Sequence, residues 1–274
     1  MGDDGCVWWI TGRPSAGKTF TGDYLEASCG FTHVEGDWRM HSPLHRQVTD
    51  GLVKSFYQFW FKDKDAPEEL WQPYYGEVCT EAKEALNRDP RKPVVVTLAL
   101  YRKKVREYVG KQLKGVRFIL LEISDDEAAR RMLLKFKEYL EVTKTKAEAY
   151  WKGQGLETKY GPYSDENYML WQKQTSMHGL EPFSADEKQS CFVVNADKKD
   201  DSVLDNVRRV LGLAQRRNPI DLNAIKAVNN ARYLRMVAKT DRTAGRHLFL
   251  VARIAVTFAA FTVIRQASGG LQRR

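Results

Sequence analysis

Residues 6–21 read CVWWITGRPSAGKTFT and contain a strand, a loop and the start of a helix in immediate succession. The apolar run Cys6–Ile10 predicts a buried strand, and a helical pattern extends from the end of the loop to about Ala27. The intervening loop fits the pattern G-x-x-x-x-G-K-[ST], which is informative only when it follows a strand and opens a helix. The loop consists of Gly12, Arg13, Pro14, Ser15, Ala16, Gly17, Lys18 and Thr19.

A loop of this composition predicts a phosphate-binding site. Gly12 and Gly17 allow a tight turn whose backbone N–H groups point inward, and the positive end of the following helix adds to their field. We expect Lys18 to reach the outer phosphates of a nucleotide and the Thr19 hydroxyl to hold Mg²⁺. The sequence therefore predicts that all eight loop residues bind ATP, with Mg²⁺ as its companion ion.

Four further apolar runs predict an α/β fold. Helical stretches separate them, so the chain alternates strand and helix as a doubly wound fold does. We therefore expect a five-stranded parallel sheet with helices on both faces and the ligand loops at the carboxyl edge. The additional predicted strands are Phe31–Val34, Pro93–Leu100, Val116–Ile123 and Cys191–Asn195.

Three longer segments complete the predicted organisation around a nucleotide-binding domain of residues 1–213. Residues 42–88 predict an aromatic-rich helical insertion, which either packs into the core, closes over a second substrate, or does both. Residues 124–189 predict a lid, with a Lys/Tyr/Gly-rich mobile flap around residues 143–163, because long connections in compact domains are often lids. Residues 214–274 predict a basic helical tail.

The charge of the chain is concentrated in that tail. The net charge is +9, and residues 214–274 carry twelve Lys and Arg against two acids, so residues 1–213 are close to neutral. A catalytic face for nucleic acid would need its cations on the domain itself, so we expect no nucleic-acid partner. The four cysteines form no C-x-x-C pair, which disfavours zinc and disulfides. With no recognisable signal sequence in residues 1–5, we expect a cytoplasmic protein.

The tail leaves several interpretations open. Apolar residues from Ile220 to Val237 recur at helical spacing and predict an amphipathic helix. The following run, Leu248–Ile264, is interrupted by Arg253 and is short for a membrane-spanning helix. Residues 218–274 are therefore interpreted as a membrane contact, as a helix packed on the domain or on a partner, or as an extension without a functional role.

Polar residues that follow the predicted strands are candidates for chemistry on a second substrate. Asp37, after the second strand, is placed to orient an acceptor hydroxyl or to accept its proton. His41 is a weaker candidate for binding the acceptor. The third strand ends without an acid, which favours a small-molecule kinase over a motor-type ATPase. Arg102 and Arg106 follow this strand and share one helical face, where a guanidinium suits an anionic acceptor.

The lid and the fifth strand add candidates on the nucleotide side. Arg130 and Arg131 precede the flap, and one of them is expected to stabilise charge on the transferring phosphoryl group when the lid closes. Asn195 and Asp197 follow the fifth strand, where the adenine of a bound nucleotide would rest.

Taken in order, these segments resemble gluconate kinases. The resemblance is carried first by the phosphate loop, by Gly36-Asp37 and by the stretch ALYRKKVRE that begins at Ala99. Residues 169–197 add to it, because the fragments ML, Q, LEP, DE and VVNAD follow one another there as they do in the family. It covers about residues 6–213. Gluconate kinases usually read G-D-x-L-H-P after the second strand, whereas here the histidine, His41, comes one place later.

The resemblance implies a nucleoside-monophosphate-kinase-like fold with a lid, ATP as phosphoryl donor and a sugar acid such as D-gluconate as acceptor. It further implies that Asp37 contacts the acceptor, that Arg102 or Arg106 binds its carboxylate, and that Arg130 contacts the phosphates. A shikimate-type or nucleoside/nucleotide kinase differs only in the acceptor. A nucleotide-binding module docked on a membrane or a partner, without turnover, is the alternative of another class.

Overall fold

A five-stranded parallel sheet forms the centre of the protein. The computed structural model describes residues 6–37, 45–62, 64–139, 144–176, 180–198 and 200–240. All neighbouring strands pair in parallel, in the order β2-β3-β1-β4-β5. The strands are β1 (Val7–Gly12), β2 (Thr32–Glu35), β3 (Val94–Thr97), β4 (Arg117–Glu122) and β5 (Cys191–Asn195).

The predicted α/β fold class is confirmed, and the strands lie at the predicted apolar runs. The boundaries differ most at β1, which continues to Gly12, and at β3, which ends at Thr97. Leu98–Leu100 stay buried beyond the end of β3: Leu98 N–H still donates to the Ile10 carbonyl of β1, whereas Leu100 N–H donates to the side chain of Thr11 at Oγ1. These bonds fix the loop after β3 against the end of β1.

Two apolar layers cover the sheet, and the central strand β1 supplies both. Val7 and Trp9 point into the layer that contains α3 and α4, whereas Trp8 and Ile10 point into the layer that contains α1 and α9. This alternation is the period-two pattern of a strand that is buried on both faces.

The helices of the described ranges follow the expected alternation with the strands. They are α1 (Lys18–Cys29), α2 (Arg46–Phe61), α3 (Glu68–Arg88), α4 (Lys103–Gln112), α5 (Asp125–Tyr139), α6 (Lys144–Gly153), α7 (Glu157–Tyr160), α8 (Asp165–Ser176), α9 (Ser202–Val210) and α10 (Leu222–Thr240).

The predicted helical insertion corresponds to α2 and α3, and its aromatic residues form part of the core. Two buried tyrosines of α3 also reach the carboxyl edge of the sheet: Tyr74 Oη donates to the Gly36 carbonyl at 2.7 Å and Tyr75 Oη to the Ala99 carbonyl at 2.8 Å. The packing interpretation is therefore confirmed for these residues. The same bonds position the insertion beside the loops that follow β2 and β3.

The region predicted as a lid is helical and has an apolar core of its own. Helices α5, α6 and α8 pack their aromatic side chains together, with Phe136 stacked on Tyr168 and Trp151 edge-on to Trp171. The Trp151 indole N–H also donates to the Gly161 carbonyl at 2.8 Å. The sequence interpretation of residues 143–163 as a Gly-rich flap missed this core, because its contacts join residues that are far apart in the chain.

We expect Trp151→Ala to unfold this helical unit locally. Trp151 is only 1% exposed, and large-to-small substitutions of buried aromatic residues typically cost about 3–5 kcal/mol. Amide hydrogen exchange should therefore accelerate throughout α6 and α8 while β1 and β4 retain their protection. Leu170→Ala, on the same unit but 44% exposed, is the matched control and should change little. Unchanged exchange in α6 of Trp151→Ala would show that the cluster does not hold the unit together.

The predicted amphipathic helix of the tail forms α10 and packs against α1. Ile225 is buried in the apolar layer of α1, and Arg232 of α10 forms ion pairs with Asp23 and Glu26 of α1. Of the interpretations of the tail, packing on the domain is therefore observed for α10. The apolar run Leu248–Ile264 lies outside the described residues. Among the helices that the structure describes, none has the length and apolarity needed to cross a membrane.

Candidate active site

The loop between β1 and α1 has the backbone conformation expected of a phosphate-binding loop. Gly12 has φ 146°, and a Cβ added there would lie 2.5 Å from the Leu121 carbonyl oxygen of β4, so only glycine fits. Ser15 is the non-glycine residue with positive φ among the described residues, at 64°. The loop ends at Gly17, which caps α1 in the left-handed conformation. The amino end of α1 thus faces the space that the loop encloses.

Lys18 lies folded back over this loop. Its Nζ donates to the carbonyl oxygens of Gly12 and Arg13, both at 3.0 Å. Burial lowers the pKa of Lys18, and the nearby carboxylates of Asp37 and Glu35 partly oppose that shift. The ammonium is therefore held in a desolvated position between the loop and the end of β2.

Two acids at the end of β2 face the loop, and the sequence interpretation had used only one of them. Glu35 is 6% exposed, its Oε1 accepts a hydrogen bond from the Asp37 N–H at 3.3 Å, and its side chain is hydrogen-bonded to Thr19. Burial raises the pKa of Glu35, and the Asp37 carboxylate raises it further. The sequence does contain a signal for Glu35, because an acid stands on each side of Gly36. Both acids of a turn at the end of a strand lie at the ligand edge of the sheet.

The donor set around Thr19 suits a magnesium ion. The Thr19 hydroxyl and the Glu35 carboxylate are in direct contact, and Asp37 lies within electrostatic range of Glu35. Mg²⁺ prefers hard oxygen ligands and is usually bound by one or two protein groups together with substrate phosphates. These residues fit the predicted ion, and Thr19 and Glu35 are the ones that would hold it.

On the nucleotide side, the structure brings Arg131 to the phosphate loop and not Arg130. Arg131 donates to the carbonyl oxygens of Ala196 at 2.7 Å, Asp197 at 2.9 Å and Ser15 at 3.5 Å. Arg130 is 46% exposed in its side chain, and its guanidinium donates hydrogen bonds to both carboxylate oxygens of Glu127. The hydrogen bond from Arg130, followed by that from Arg131, lowers the pKa of Glu127 to about 2. The catalytic role predicted for Arg130 is therefore reassigned to Arg131 as a hypothesis.

Helix α5 joins the helical unit of α5, α6 and α8 directly to the loop between β1 and α1. Arg13 pairs with Asp125 at the start of α5, and Ser15 Oγ donates to Met132 Sδ at 3.0 Å. One turn further on, Lys135 lies within electrostatic range of Asp37 and Glu35, and desolvation lowers the pKa of its ammonium. Lys135 is a cation of the site that the sequence interpretation missed, because the acids near it, Asp37 and Glu35, are far from it in the sequence.

The predicted nucleotide-binding residues after β5 line a cleft beside the loop. A cleft of about 340 Å³ is bounded by Arg13, Asn195, Asp197 and the end of β4. The Asp197 carboxylate accepts a hydrogen bond from the Ser124 N–H at 2.7 Å, and Asn195 Oδ1 accepts one from the Asp197 N–H at 3.0 Å. The structure therefore brings Asn195, Asp197 and the phosphate loop together at one opening.

On the acceptor side, Tyr101 and Arg102 follow β3 into the space beside Asp37. Tyr101 is 3% exposed, and burial followed by the charge of Asp37 raises the pKa of its hydroxyl. Its ring meets Phe56 and Trp60 of α2 edge-on at 5.4 and 5.5 Å. Arg102 is buried with its guanidinium 5.7 Å from the centre of the Phe59 ring. Tyr101 and Arg102 are thus packed among aromatic side chains of α2.

The structure separates Arg106 from this space. Its side chain is 1% exposed, and its guanidinium binds both carboxylate oxygens of Glu187 and the carbonyl oxygens of Glu181 and Pro182. Sequence spacing placed Arg102 and Arg106 on one face of α4, but the segment after the lid covers that face at Arg106. The predicted acceptor-binding role of Arg106 does not agree with these contacts, which are structural. His41 lies outside the described residues.

The site thus combines a glycine loop, a half-buried lysine, two acids and the helical unit that begins with α5, all at the carboxyl edge of a parallel sheet. The fold is a five-stranded parallel α/β fold with a glycine loop between its first strand and its first helix.

Comparison with known proteins returned similar structures at low sequence identity. No protein-family model matches the sequence, and no curated protein matches it. A gluconokinase from Sinorhizobium meliloti is 14% identical with a TM-score of 0.44, the alignment covering 86% of this chain and 99% of that one. A shikimate kinase from Bacteroides thetaiotaomicron is 17% identical with a TM-score of 0.45, covering 76% and 99%. A sugar kinase from Janibacter sp. is 15% identical with a TM-score of 0.45, covering 76% and 95%.

Proposed function

We propose that this protein is an ATP-dependent kinase that transfers the γ-phosphoryl group to a hydroxyl of a small anionic metabolite. The observation that carries the proposal is the meeting of the Lys18 loop with Glu35 and Asp37 at one edge of the sheet. D-Gluconate or a related sugar acid is the first acceptor to test, and shikimate is equally compatible with the site.

The residues divide the reaction between them. Backbone N–H groups of the loop and the amino end of α1 hold the phosphates, and Lys18 stabilises the charge that develops during transfer. Mg²⁺, when bound beside Thr19 and Glu35, neutralises charge on the phosphates. Asp37 accepts the proton of the acceptor hydroxyl as its oxygen forms the new bond to the γ-phosphorus. The bond between that phosphorus and the bridging oxygen breaks, and ADP leaves.

The aromatic wall and Arg102 support an anionic acceptor with an apolar face. A buried guanidinium next to an aromatic surface favours a carboxylate over a neutral group, since only a carboxylate adds the attraction of an ion pair and accepts two parallel hydrogen bonds from the guanidinium. Phe56, Trp60 and Tyr101 would pack against the carbon skeleton of the same molecule. These are the groups that would select the acceptor.

The proposal is tested by incubating the full chain with Mg·ATP and a panel of acceptors while ADP release is measured. The panel contains D-gluconate, shikimate, other sugar acids and nucleoside monophosphates. We expect ADP release to depend on one of the carboxylate acceptors. Release that depends only on a nucleoside monophosphate would instead support a nucleotide kinase, and the absence of affinity for any triphosphate would contradict the whole proposal.

We expect Arg102→Met to weaken a carboxylate acceptor selectively. Loss of a hydrogen bond to a charged group is worth roughly 1.5–3 kcal/mol, so the acceptor KM should rise about 10- to 100-fold. The KM for ATP should stay within about twofold, because the Arg102 guanidinium lies against Phe59 of α2. A neutral polyol of the same length, tested beside D-gluconate, is the matched control and should show no selective loss. Equal losses for both would exclude Arg102 as the carboxylate ligand.

A further inference from the structure

A buried chain of polar side chains connects the back of α1 to the phosphate site. His33 Nδ1 lies 3.0 Å from Asp23 Oδ1, and His33 Nε2 lies 2.7 Å from Thr97 Oγ1. The Thr97 hydroxyl in turn donates to Glu35 Oε1 at 3.3 Å. All four residues are 7% exposed or less, so the chain crosses the interior between α1, β2 and β3.

The packing around His33 leaves just enough room for its ring between α1 and Thr97. The ring lies against α1 at Gly22, where an added Cβ would overlap the imidazole. A side chain at that position would push the ring off the helix and break its contacts with Asp23 and Thr97. The space is therefore available to the histidine only because α1 carries a glycine there.

The far end of the chain is held by α10. Arg232 donates to Asp23 Oδ1 at 2.5 Å and to Glu26 Oε2 at 2.6 Å, and Asn229 Nδ2 donates to Asp23 Oδ2 at 2.9 Å. Burial raises the pKa of Asp23, but its bond with His33 and the charge of Arg232 outweigh that effect and leave the pKa lowered. Asp23 is thus kept as a carboxylate with both oxygens engaged.

A metal ion is the other cation that this cluster could attract. Ligand atoms of Asp23, Glu26 and His33 lie within 4.8 Å of one another. The Arg232 guanidinium, however, already contacts the oxygens of both acids, so the position of a cation is taken by the chain itself. The cluster is therefore explained by an ion pair and not by a metal site.

We propose that Arg232 is a positioning residue for the phosphate end of the active site. By fixing Asp23 it orients His33 and Thr97, and through them it holds the Glu35 carboxylate beside Thr19. The inference rests on the proposed function in taking Thr19 and Glu35 as the groups that meet a magnesium–nucleotide complex. It makes α10 part of the working site, although α10 itself lies behind α1.

The test compares Arg232→Met with Arg216→Met in the full chain. Arg216 lies in the same carboxyl-terminal segment and pairs with two acids, Asp201 and Asp205, that have no link to Glu35, so it is the matched control. The dissociation constant of a fluorescent ATP analogue is measured with Mg²⁺ and, separately, with EDTA. In Arg232→Met we expect affinity in Mg²⁺ to fall about 10-fold or more, the size typical of residues that orient a metal ligand. Affinity in EDTA should stay within about twofold, and Arg216→Met should match the wild type in both.

Two further variants separate positioning from general destabilisation. Arg232→Lys keeps the charge and should recover part of the magnesium-dependent affinity. Thr97→Val cuts the link between His33 and Glu35, so adding Arg232→Met to it should produce no further loss. Independent, multiplicative losses in the double variant would overturn the proposal, as would equal losses with Mg²⁺ and with EDTA. Should Arg232→Met fail to fold, Asn229→Ala and Arg232→Lys carry the same comparison, and unchanged magnesium-dependent affinity in both would overturn it.

These readouts keep the two proposals distinct. A wild-type protein that binds Mg·ATP but phosphorylates no acceptor contradicts the proposed reaction and leaves the binding comparison valid. Where turnover is found, Arg232→Met should lower kcat while the KM of the acceptor stays unchanged, because Glu35 faces the phosphates. A changed acceptor KM with normal kcat would contradict the positioning role.

Discussion

Lys18→Met should lower the rate of phosphoryl transfer about 10³-fold, the upper range for removing one preorganised group that stabilises developing charge. Lys18 is the half-buried lysine folded over the phosphate loop, and methionine retains most of its apolar stem without the ammonium. The fold should survive, because the two hydrogen bonds that are lost go to carbonyl oxygens of the loop and not to a buried charge.

The measurement is single-turnover transfer from Mg·ATP to the acceptor identified by the panel, together with thermal unfolding. Lys137→Met is the matched control, since Lys137 is an exposed lysine of the lid that pairs with Asp165. It should transfer phosphate at the wild-type rate. Transfer by Lys18→Met within about tenfold of wild type would mean that the loop does not act on the transferring group.

Asp37→Asn is expected to lower kcat by about 10²- to 10⁴-fold, the range for loss of a general base. Asparagine has nearly the same shape and keeps the backbone N–H that donates to Glu35, but it cannot accept a proton. The KM for ATP should change little, because the phosphates are held by the loop. Steady-state kinetics with both substrates separates these effects.

Asp50→Asn provides the control for this substitution. Asp50 is an exposed acid of α2, and its replacement changes the net charge of the chain by the same amount. It should leave both kinetic constants unchanged. If Asp37→Asn retained kcat within about threefold of wild type, the proton of the acceptor would have to leave by another route.

The fold and the phosphate loop could be predicted from the sequence because their signals are local. The apolar runs of β1 and β4 identify buried strands within six residues. The loop pattern stands directly between such a strand and a helix, so the neighbouring residues are enough to recognise it. The packing of the helical insertion and of the helices after β4 could be predicted only in outline, since it depends on contacts between distant segments.

The corrections to individual residues have the same origin. Arg106 has the charge and the spacing of an anion ligand, but Glu187 reaches it from 81 positions further along the chain. Arg130 and Arg131 are neighbours in sequence, and only the direction of their side chains on α5 decides that Arg131 contacts Ser15. Glu35 was overlooked because an acid at the end of a strand is equally typical of an exposed turn.

The pairing of Asp23 with Arg232 also constrains how the protein is made. The two residues are separated by 209 positions, so the ribosome synthesises α1 long before its positive partner exists. Until α10 has emerged, Asp23 and Glu26 can be covered only by leaving carboxylates buried without their cation, which is unfavourable. The packing around α1 should therefore be completed only after translation of residues 222–240, and nascent chains that stop short of them should remain protease-sensitive at α1.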